Sequence, residues 1–415
     1  MKVLQINCVY KKGSTGKIVY DIHNCLLSAN IDSVVCYGRG SLIQESKVFK
    51  FCSEFESKLY HLFNKFGWLM YAVCPIATLN LIRIIKEQKP DVVHIHCING
   101  YCVDIFKLLK FLGKSHIKTI VTHHAEFFYT GNCGHAYDCV KFQSDQGCQK
   151  CTILDEAAGT KLFDRTRQSW QSMKKAFSYF EKADLLFTAV SPWVVGRSLL
   201  SPICNFYQCC YVPNGVNTDV FKPSSLEDIT DIKNSLPKFA GKLILHVTAS
   251  FTTSPNALKG GYYINKLAKS MPDSLFVVVS TNVGSIQNLS DNVYIWGAAK
   301  SQEELATLYS AADLTVITSK RETFSMIVAE SLCCGTPVVG FKAGGPESIS
   351  IPEYSSFVEY GDVNELKVIV EHMLENKYDM NDISYSARNR YSKEVMATGY
   401  IDLYRQMHLT DILDK

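Results

Sequence analysis

Arg321-Glu322-Thr323-Phe324-Ser325-Met326-Ile327-Val328-Ala329-Glu330, continued by Ser331-Leu332-Cys333-Cys334-Gly335-Thr336-Pro337-Val338-Val339-Gly340, is the stretch that orders the rest of this 415-residue chain. It follows the apolar run 314–317. A buried strand, a short loop holding Glu322, a helix opening near Ser325 and a second strand at 337–340 account for its pattern. Free amides at such a helix start suit an anion such as a diphosphate. Glu330 falls about two turns into the helix. The two carboxylates can grip two hydroxyl-rich parts of one ligand, or stand as an exposed acid and an acid complementing the helix dipole.

The same rhythm extends outward in both directions. Apolar runs at 243–247, 275–280 and 293–296 read as strands with helical stretches between them. Upstream, 3–7 reads as a strand, Gly13-Ser14-Thr15-Gly16 as a loop, and Ile18, Val19, Ile22, Leu26 and Leu27 as one helical stripe. Residues 79–89 read as a helix stopped before Pro90, 92–96 as a strand, 105–112 as a helix and 118–122 as a strand. Two such series, parted by a turn-rich junction near 200–222, predict an α/β chain of two Rossmann-like domains facing a central cleft. The expected domains are 1–212 and 213–389, each with a ligand crevice at the carboxyl ends of its strands. Residues 383–408 are helical in pattern, and a C-terminal helix, 390–415, is expected to join the first domain.

Composition agrees. At 47% hydrophobic and 20% charged, the chain can bury a core and is not disordered. A net charge of +3 gives no argument for a nucleic-acid partner. The charge is uneven: residues 1–212 hold 25 Lys/Arg against 16 Asp/Glu, and 213–415 hold 18 against 24. A basic half can face anionic lipid or be a solvated excess. Met1-Lys2 running into 3–7 does not read as a secretory signal, and 66–85, with Pro75, Asn80 and Arg83, does not read as a membrane span. Sixteen cysteines without such a signal imply a reducing, cytoplasmic setting and free thiols.

The string from Arg321 to Gly340 closely resembles the E-x7-E segment of retaining glycosyltransferases of the GT-B fold, glycosyltransferase family 4. The N-terminal half resembles the bacterial polysaccharide-assembly branch of that family. The resemblance implies that Glu322 holds the donor sugar's hydroxyls, that Glu330 holds the ribose, and that the amides of Phe324, Ser325 and Met326 meet the diphosphate. The family usually has Gly where Ser325 stands; serine keeps the amide and adds bulk. Lys259-Gly260 resembles the lysine that neutralises the diphosphate, while Thr252 and Thr253 occupy the region of the family's Arg. Gly344-Gly345 with Glu347 resembles the loop that closes over the donor. Val212-Pro213-Asn214-Gly215-Val216-Asn217 resembles the interdomain motif, with Gly215 expected at positive φ. Thr122-His123-His124-Ala125 resembles the family's Thr-x-His segment. This implies that His124 faces the reactive carbon, with Ala125 in place of the usual Asp. Gly13 and Gly16 fit the glycine loop beneath the donor. His94 and His96 share one strand face and are open between acceptor contact and packing.

Cys133, Cys139, Cys148 and Cys151 form C-x5-C-x8-C-x2-C. Four thiolates at close range make a tetrahedral structural zinc site; packed free thiols and a disulfide stay open beside it. Four thiolates leave no open position, and no Asp-x-Asp occurs, so catalysis is expected without a metal cofactor. Residues 161–182, with Phe163, Trp170, Met173, Phe177 and Phe180, read as an amphipathic helix docked on the core or against anionic lipid. Residues 59–71 are a second aromatic-rich stretch. Taken whole, the resemblance implies transfer of a sugar from a nucleotide-diphosphate donor to a glycan, lipid-linked acceptor. The implied setting is capsule, exopolysaccharide or lipopolysaccharide assembly, in the cytoplasm and peripheral to the inner face of the cytoplasmic membrane. Two other classes compete. A Rossmann oxidoreductase lacks a G-x-G-x-x-G after any strand. A transferase-like partner without activity would fit the replaced Arg and Asp.

Overall fold

Short runs of Val, Ile and Leu that are buried on both faces belong to parallel sheets covered by helices. The computed structural model, which describes residues 1–66, 69–160 and 162–413, contains two such sheets. The contacts divide the chain into residues 1–213 with 396–415, and residues 214–395.

In the first unit the strands are β1 (Lys2–Asn7), β2 (Asp32–Tyr37), β3 (Val48–Lys50), β4 (Val92–Ile95), β5 (Lys118–His123), β6 (Leu185–Ala189) and β7 (Cys209–Tyr211). They lie parallel in the order β3-β2-β1-β4-β5-β6-β7. The second unit has β8 (Leu243–Thr248), β9 (Leu275–Ser280), β10 (Val293–Gly297), β11 (Leu314–Ile317), β12 (Val338–Phe341) and β13 (Ser355–Val358). Their order is β10-β9-β8-β11-β12-β13, again parallel. Strand order reverses between β1 and β4 and between β8 and β11. At these points the loops part and leave a crevice at the strands' carboxyl ends.

The final helix, Lys393–Leu413, belongs to the first unit from Met396 onward. Met396, Tyr400, Tyr404 and Met407 pack with Val3, Ile18, Ile22, Val92 and Ile120. The second core gathers Ile244, Phe276, Val278, Leu314, Val316, Val339 and Phe341 with Leu366 and Val370.

Several elements differ from the sequence reading. Strands β2, β3, β6, β7 and β13 were not distinguished. Three-residue edge strands carry no usable period, and β2 opens on the polar Asp32 and Ser33. The helix at 79–89 is Pro75–Gln88. Proline takes its first position at no hydrogen-bond cost, and the buried Glu56 carboxylate accepts from the amides of Ile76 and Ala77. The C-terminal helical pattern splits at Ser392 into Met380–Tyr391 and Lys393–Leu413. The amphipathic stretch 161–182 holds a shorter helix, Thr166–Phe177, whose Trp170, Met173 and Phe177 are buried. That stripe is docked on protein, so the lipid alternative falls away for it; Lys161 lies outside the described residues. The aromatic stretch 59–71 falls partly on the helix Glu54–Lys65, with Gly67 and Trp68 outside the described residues. Gly215 does not take a positive φ. Its turn is held instead by backbone bonds, with Val216 donating to the Tyr391 carbonyl. Among the described residues no helix is long and apolar enough to cross a membrane.

Candidate active site

In the second unit, the loop after β8 carries Lys259 and Gly260 into the helix Gly261–Lys269. Gly260 has φ +73, and a Cβ there would stand 2.0 Å from the Thr318 carbonyl oxygen. Only glycine lets the loop approach β11 so closely. This brings Lys259 Nζ to 2.6 Å from Glu322 Oε1, in a half-exposed ion pair. Glu322 is also tied through its backbone: its N–H donates to Ala343, and its carbonyl accepts from Gly345. Gly345 lies against the Thr323–Phe324 backbone, where a Cβ would fall 2.5 Å from the Phe324 nitrogen. Gly344 is held from the other side, because the Glu347 carboxylate accepts from the amides of Ala343 and Gly344. The sequence grouped Glu347 with the closing loop; its hydrogen bonds make it the cap of the helix Gly345–Ile349.

Ser325 precedes the helix Met326–Cys333 and has φ +79, ψ 90. A side chain is costly at that φ, by about 1 kcal/mol or more. Its hydroxyl is buried without a hydrogen-bond partner. A strained residue with an orphan hydroxyl thus stands at a helix start, where amides also point outward. Glu330 sits further down the same helix and accepts from the Tyr309 hydroxyl at 3.2 Å. Thr252 and Thr253, in the region of the family's Arg, donate to the Ser285 and Gln287 carbonyls and pin that loop. His246, on β8, was not singled out from sequence. Its Nδ1 donates to the Val316 carbonyl, its Nε2 is buried without a partner, and burial lowers it to about 4.

The first unit forms a separate group of residues. Gly13, at φ +65, opens the helix Gly13–Ser28, and Lys11 N–H donates back to the Gly16 carbonyl. A Cβ on Gly16 would press on Val9 at 3.2 Å. His124, just past β5, meets His96: Nε2 and Nδ1 are 3.1 Å apart. His96 continues to Gln5 Oε1 at 3.2 Å. His94 bridges Tyr404 and Thr122, and Thr122 contacts Thr188 and Tyr400. All three histidines are buried. Burial lowers His124 to about 4 and holds His94 and His96 well below the ordinary histidine range. A set of neutral imidazoles results, able to accept or donate hydrogen bonds without charge. Gln5, Thr188, Tyr400 and Tyr404 escaped sequence reasoning; the one available signal was a glutamine inside the apolar run of β1.

The loop after His124 is anchored by an ion pair. Glu126 Oε1 is 2.7 Å from Arg197 Nε, and the carboxylate also accepts from Tyr129 and the Ala136 amide. Glu126 is fully buried. Arg197→Ala would strand that charge and is expected to destabilise the protein by about 3–5 kcal/mol, read from urea unfolding midpoints.

The four cysteines of this loop share one neighbourhood, where Cys133 interacts electrostatically with Cys148 and Cys151, and Cys139 does so with Cys148 and Cys151. Among the described residues no three of the sulfurs of Cys133, Cys139, Cys148 and Cys151 lie within 4.8 Å of one another. A tetrahedral zinc set places its sulfurs about 4 Å apart. Cys133 and Cys148 are buried, and burial pushes both thiols up, Cys148 to about 12. Cys139 and Cys151 lie half-buried beside them. His116, Glu181 and Asp184 do meet within 4.8 Å. Lys118 Nζ, 3.1 Å from Asp184, already supplies positive charge there.

Comparison with known proteins follows this division. Residues 285–390, which include Glu322, Glu330, Gly344 and Gly345, match the family model described as Glycosyl transferases group 1. A relative in Escherichia coli K12 named for colanic acid biosynthesis, the glycosyl transferase WcaC, is 22% identical over 98% of this chain and 100% of its own. Sucrose-phosphate synthase of Thermosynechococcus elongatus superposes with a TM-score of 0.67 at 17% identity, covering 99% of this chain and 100% of that one. HepE of Anabaena, solved with UDP, superposes with a TM-score of 0.66 at 15% identity, covering 98% and 100%. At such identities the structural likeness speaks for the fold, and the family match speaks for the chemistry. Together they make this chain a glycosyltransferase of the GT-B fold.

Proposed function

We propose that the protein is a retaining glycosyltransferase of family 4. It moves a sugar from a nucleotide-diphosphate donor to a glycan, lipid-linked acceptor in bacterial surface polysaccharide assembly. The observation that carries this reading is the Lys259–Glu322 pair beside the strained, orphaned Ser325 at a helix start. Lys259 and the amides of Phe324, Ser325 and Met326 stabilise the leaving diphosphate electrostatically. Lys259 then exchanges the Glu322 carboxylate for phosphate oxygens, which frees Glu322 for sugar hydroxyls. Glu330 takes the ribose. Gly344 and Gly345 leave room for the donor, and Gly16 does the same in the first unit. His124, neutral through the physiological range, orients the sugar by hydrogen bonding. The acceptor hydroxyl attacks from the leaving-group face, and a donor phosphate oxygen takes its proton.

Two facts from the comparisons support the donor and the setting. HepE was solved with UDP and with UDP-glucose, and WcaC is named for colanic acid biosynthesis. A cytoplasmic, peripheral position at the membrane is part of the reading. The helix Glu54–Lys65 supports it by burying Glu56, Ser57 and Asn64 while exposing Phe55, Leu62 and Phe63 beside Lys58 and Lys65. A second reading, a transferase-like partner without turnover, rests on Thr252 and Thr253. They hold loop carbonyls where the family brings an Arg.

Calorimetric titration with UDP, GDP, ADP and CMP separates the two readings. One nucleoside diphosphate is expected to bind to the wild type and be lost in Glu330→Ala. No binding at millimolar concentration would overturn the donor site and favour the inactive partner.

A further inference from the structure

Two cysteines far apart in sequence meet where strand order reverses in the first unit. Cys8 leaves the carboxyl end of β1, Cys102 lies in the loop after β4, and their sulfurs are 3.5 Å apart. Two glycines make the slot they occupy. A Cβ on Gly38 would stand 2.6 Å from Cys102 Sγ, and one on Gly100 would stand 2.7 Å from Cys8 Sγ. Any larger residue at either position would displace a sulfur.

The surroundings favour a thiolate at Cys8. The Gly100 N–H donates to Cys8 Sγ at 3.1 Å. Arg39 is drawn into the same loop, its Nη1 donating to the Gly100 carbonyl at 3.2 Å. The Cys102 thiol, the Gly100 amide and the Arg39 charge hold the Cys8 thiol below the ordinary cysteine range. Cys8 is half-buried and Cys102 fully buried. The neighbouring Cys97 contrasts with Cys8, because burial pushes its thiol up to about 12. Thiolate character, not mere presence, decides which cysteine reacts.

We propose that Cys8 and Cys102 form a reversible dithiol/disulfide site that responds to peroxide. The Cys8 thiolate gives an electron pair to one oxygen of hydrogen peroxide. The O–O bond breaks, hydroxide leaves and is protonated to water, and Cys8 becomes a sulfenic acid. Cys102 sulfur attacks Cys8 sulfur, the S–OH bond breaks, and the departing hydroxide takes the Cys102 proton as a second water. Two thiols and one peroxide thus give one disulfide and two waters, and an external thiol reverses the step. The sulfurs must close by about 1.5 Å to reach bonding distance. Residues 96–104, which include Tyr101 at φ +54, form no helix or strand and can supply that shift.

Peptide mapping of the intact chain tests this without knowledge of donor or acceptor. The protein is treated with hydrogen peroxide, alkylated, digested without reductant and analysed by mass spectrometry. The expected result is a dominant cross-link between the Cys8 and Cys102 peptides, lighter than the dithiol by two hydrogens and reversed by dithiothreitol. In Cys102→Ser, Cys8 is expected to be trapped by dimedone as the sulfenic acid. The proposal is overturned if both cysteines stay alkylatable while others oxidise, or if Cys8 pairs with Cys97 instead. The wild-type map decides this even if the variant fails to fold.

Discussion

Lys259→Ala is expected to lower sugar transfer by about tenfold or more, as is the removal of single charge-stabilising groups elsewhere. Glu330→Ala should fall at least as far, by a different route. Lys259 meets charge that grows as the diphosphate leaves, so its loss should appear mainly in kcat. Glu330 is proposed to bind the ribose equally in ground and transition states, so its loss should appear mainly in KM. Neither change should unfold the protein. Lys259 and Glu322 are both partly exposed, and a half-solvated ion pair contributes little to stability. Glu330 is partly exposed and accepts from the Tyr309 hydroxyl. Initial-rate kinetics with the nucleotide sugar found by calorimetry would check both. An unchanged kcat in Lys259→Ala would remove Lys259 from the site, and an unchanged KM in Glu330→Ala would remove Glu330.

Acid should unfold the first unit early. His123 and His124 are buried and neutral, with pKa values held down by burial to about 3 and about 4. Unfolded, each titrates near 6.5. Below that value the unfolded chain binds more protons than the folded one, so stability falls as pH falls. At pH 5 each histidine contributes about 2 kcal/mol of destabilisation, and the loss flattens only near the folded values. His94 and His96 are depressed by the same cause and act in the same direction. Urea midpoints measured from pH 7.5 to pH 5 should therefore decline, and a His123→Phe variant should decline less steeply. Midpoints independent of pH over this range would contradict the neutral, buried arrangement. His123 is suited to the exchange because its ring already stacks on Phe187, with centroids 4.9 Å apart.

Which features were legible in sequence depended on how local their causes are. The strand at 314–317, the loop carrying Glu322 and the helix after Ser325 follow from a run of apolar residues and a change of period within about two dozen positions. The glycines at 260 and 344 announce turns because few other residues accept their φ, +73 and +105. The alternation of strands and helices, and with it a parallel α/β architecture, is carried by the same short-range patterns. The strand β2 was missed because Asp32 and Ser33 open it with polar residues, and β3 and β7 because three residues carry no period. The helix split at Ser392 was also illegible, since Tyr391 and Lys393 are bound by the 216–217 turn, far away in sequence.

The sequence by itself determined the α/β class, the glycine turns and the residue types that can hold an anion and a sugar, because these arise from backbone sterics and neighbouring side chains. Only the tertiary structure decided which of those residues meet. Lys259 reaches Glu322 because Gly260 lets one loop touch β11. His124 finds His96 because β4 and β5 are adjacent in the sheet, and Cys8 finds Cys102 because β1 and β4 are. It also decided that Ser325 is strained and its hydroxyl unpaired, and that Cys133 and Cys148 are buried while Cys139 and Cys151 are half-buried. Contacts between distant segments are set by how whole elements pack, and no local period in the chain encodes them.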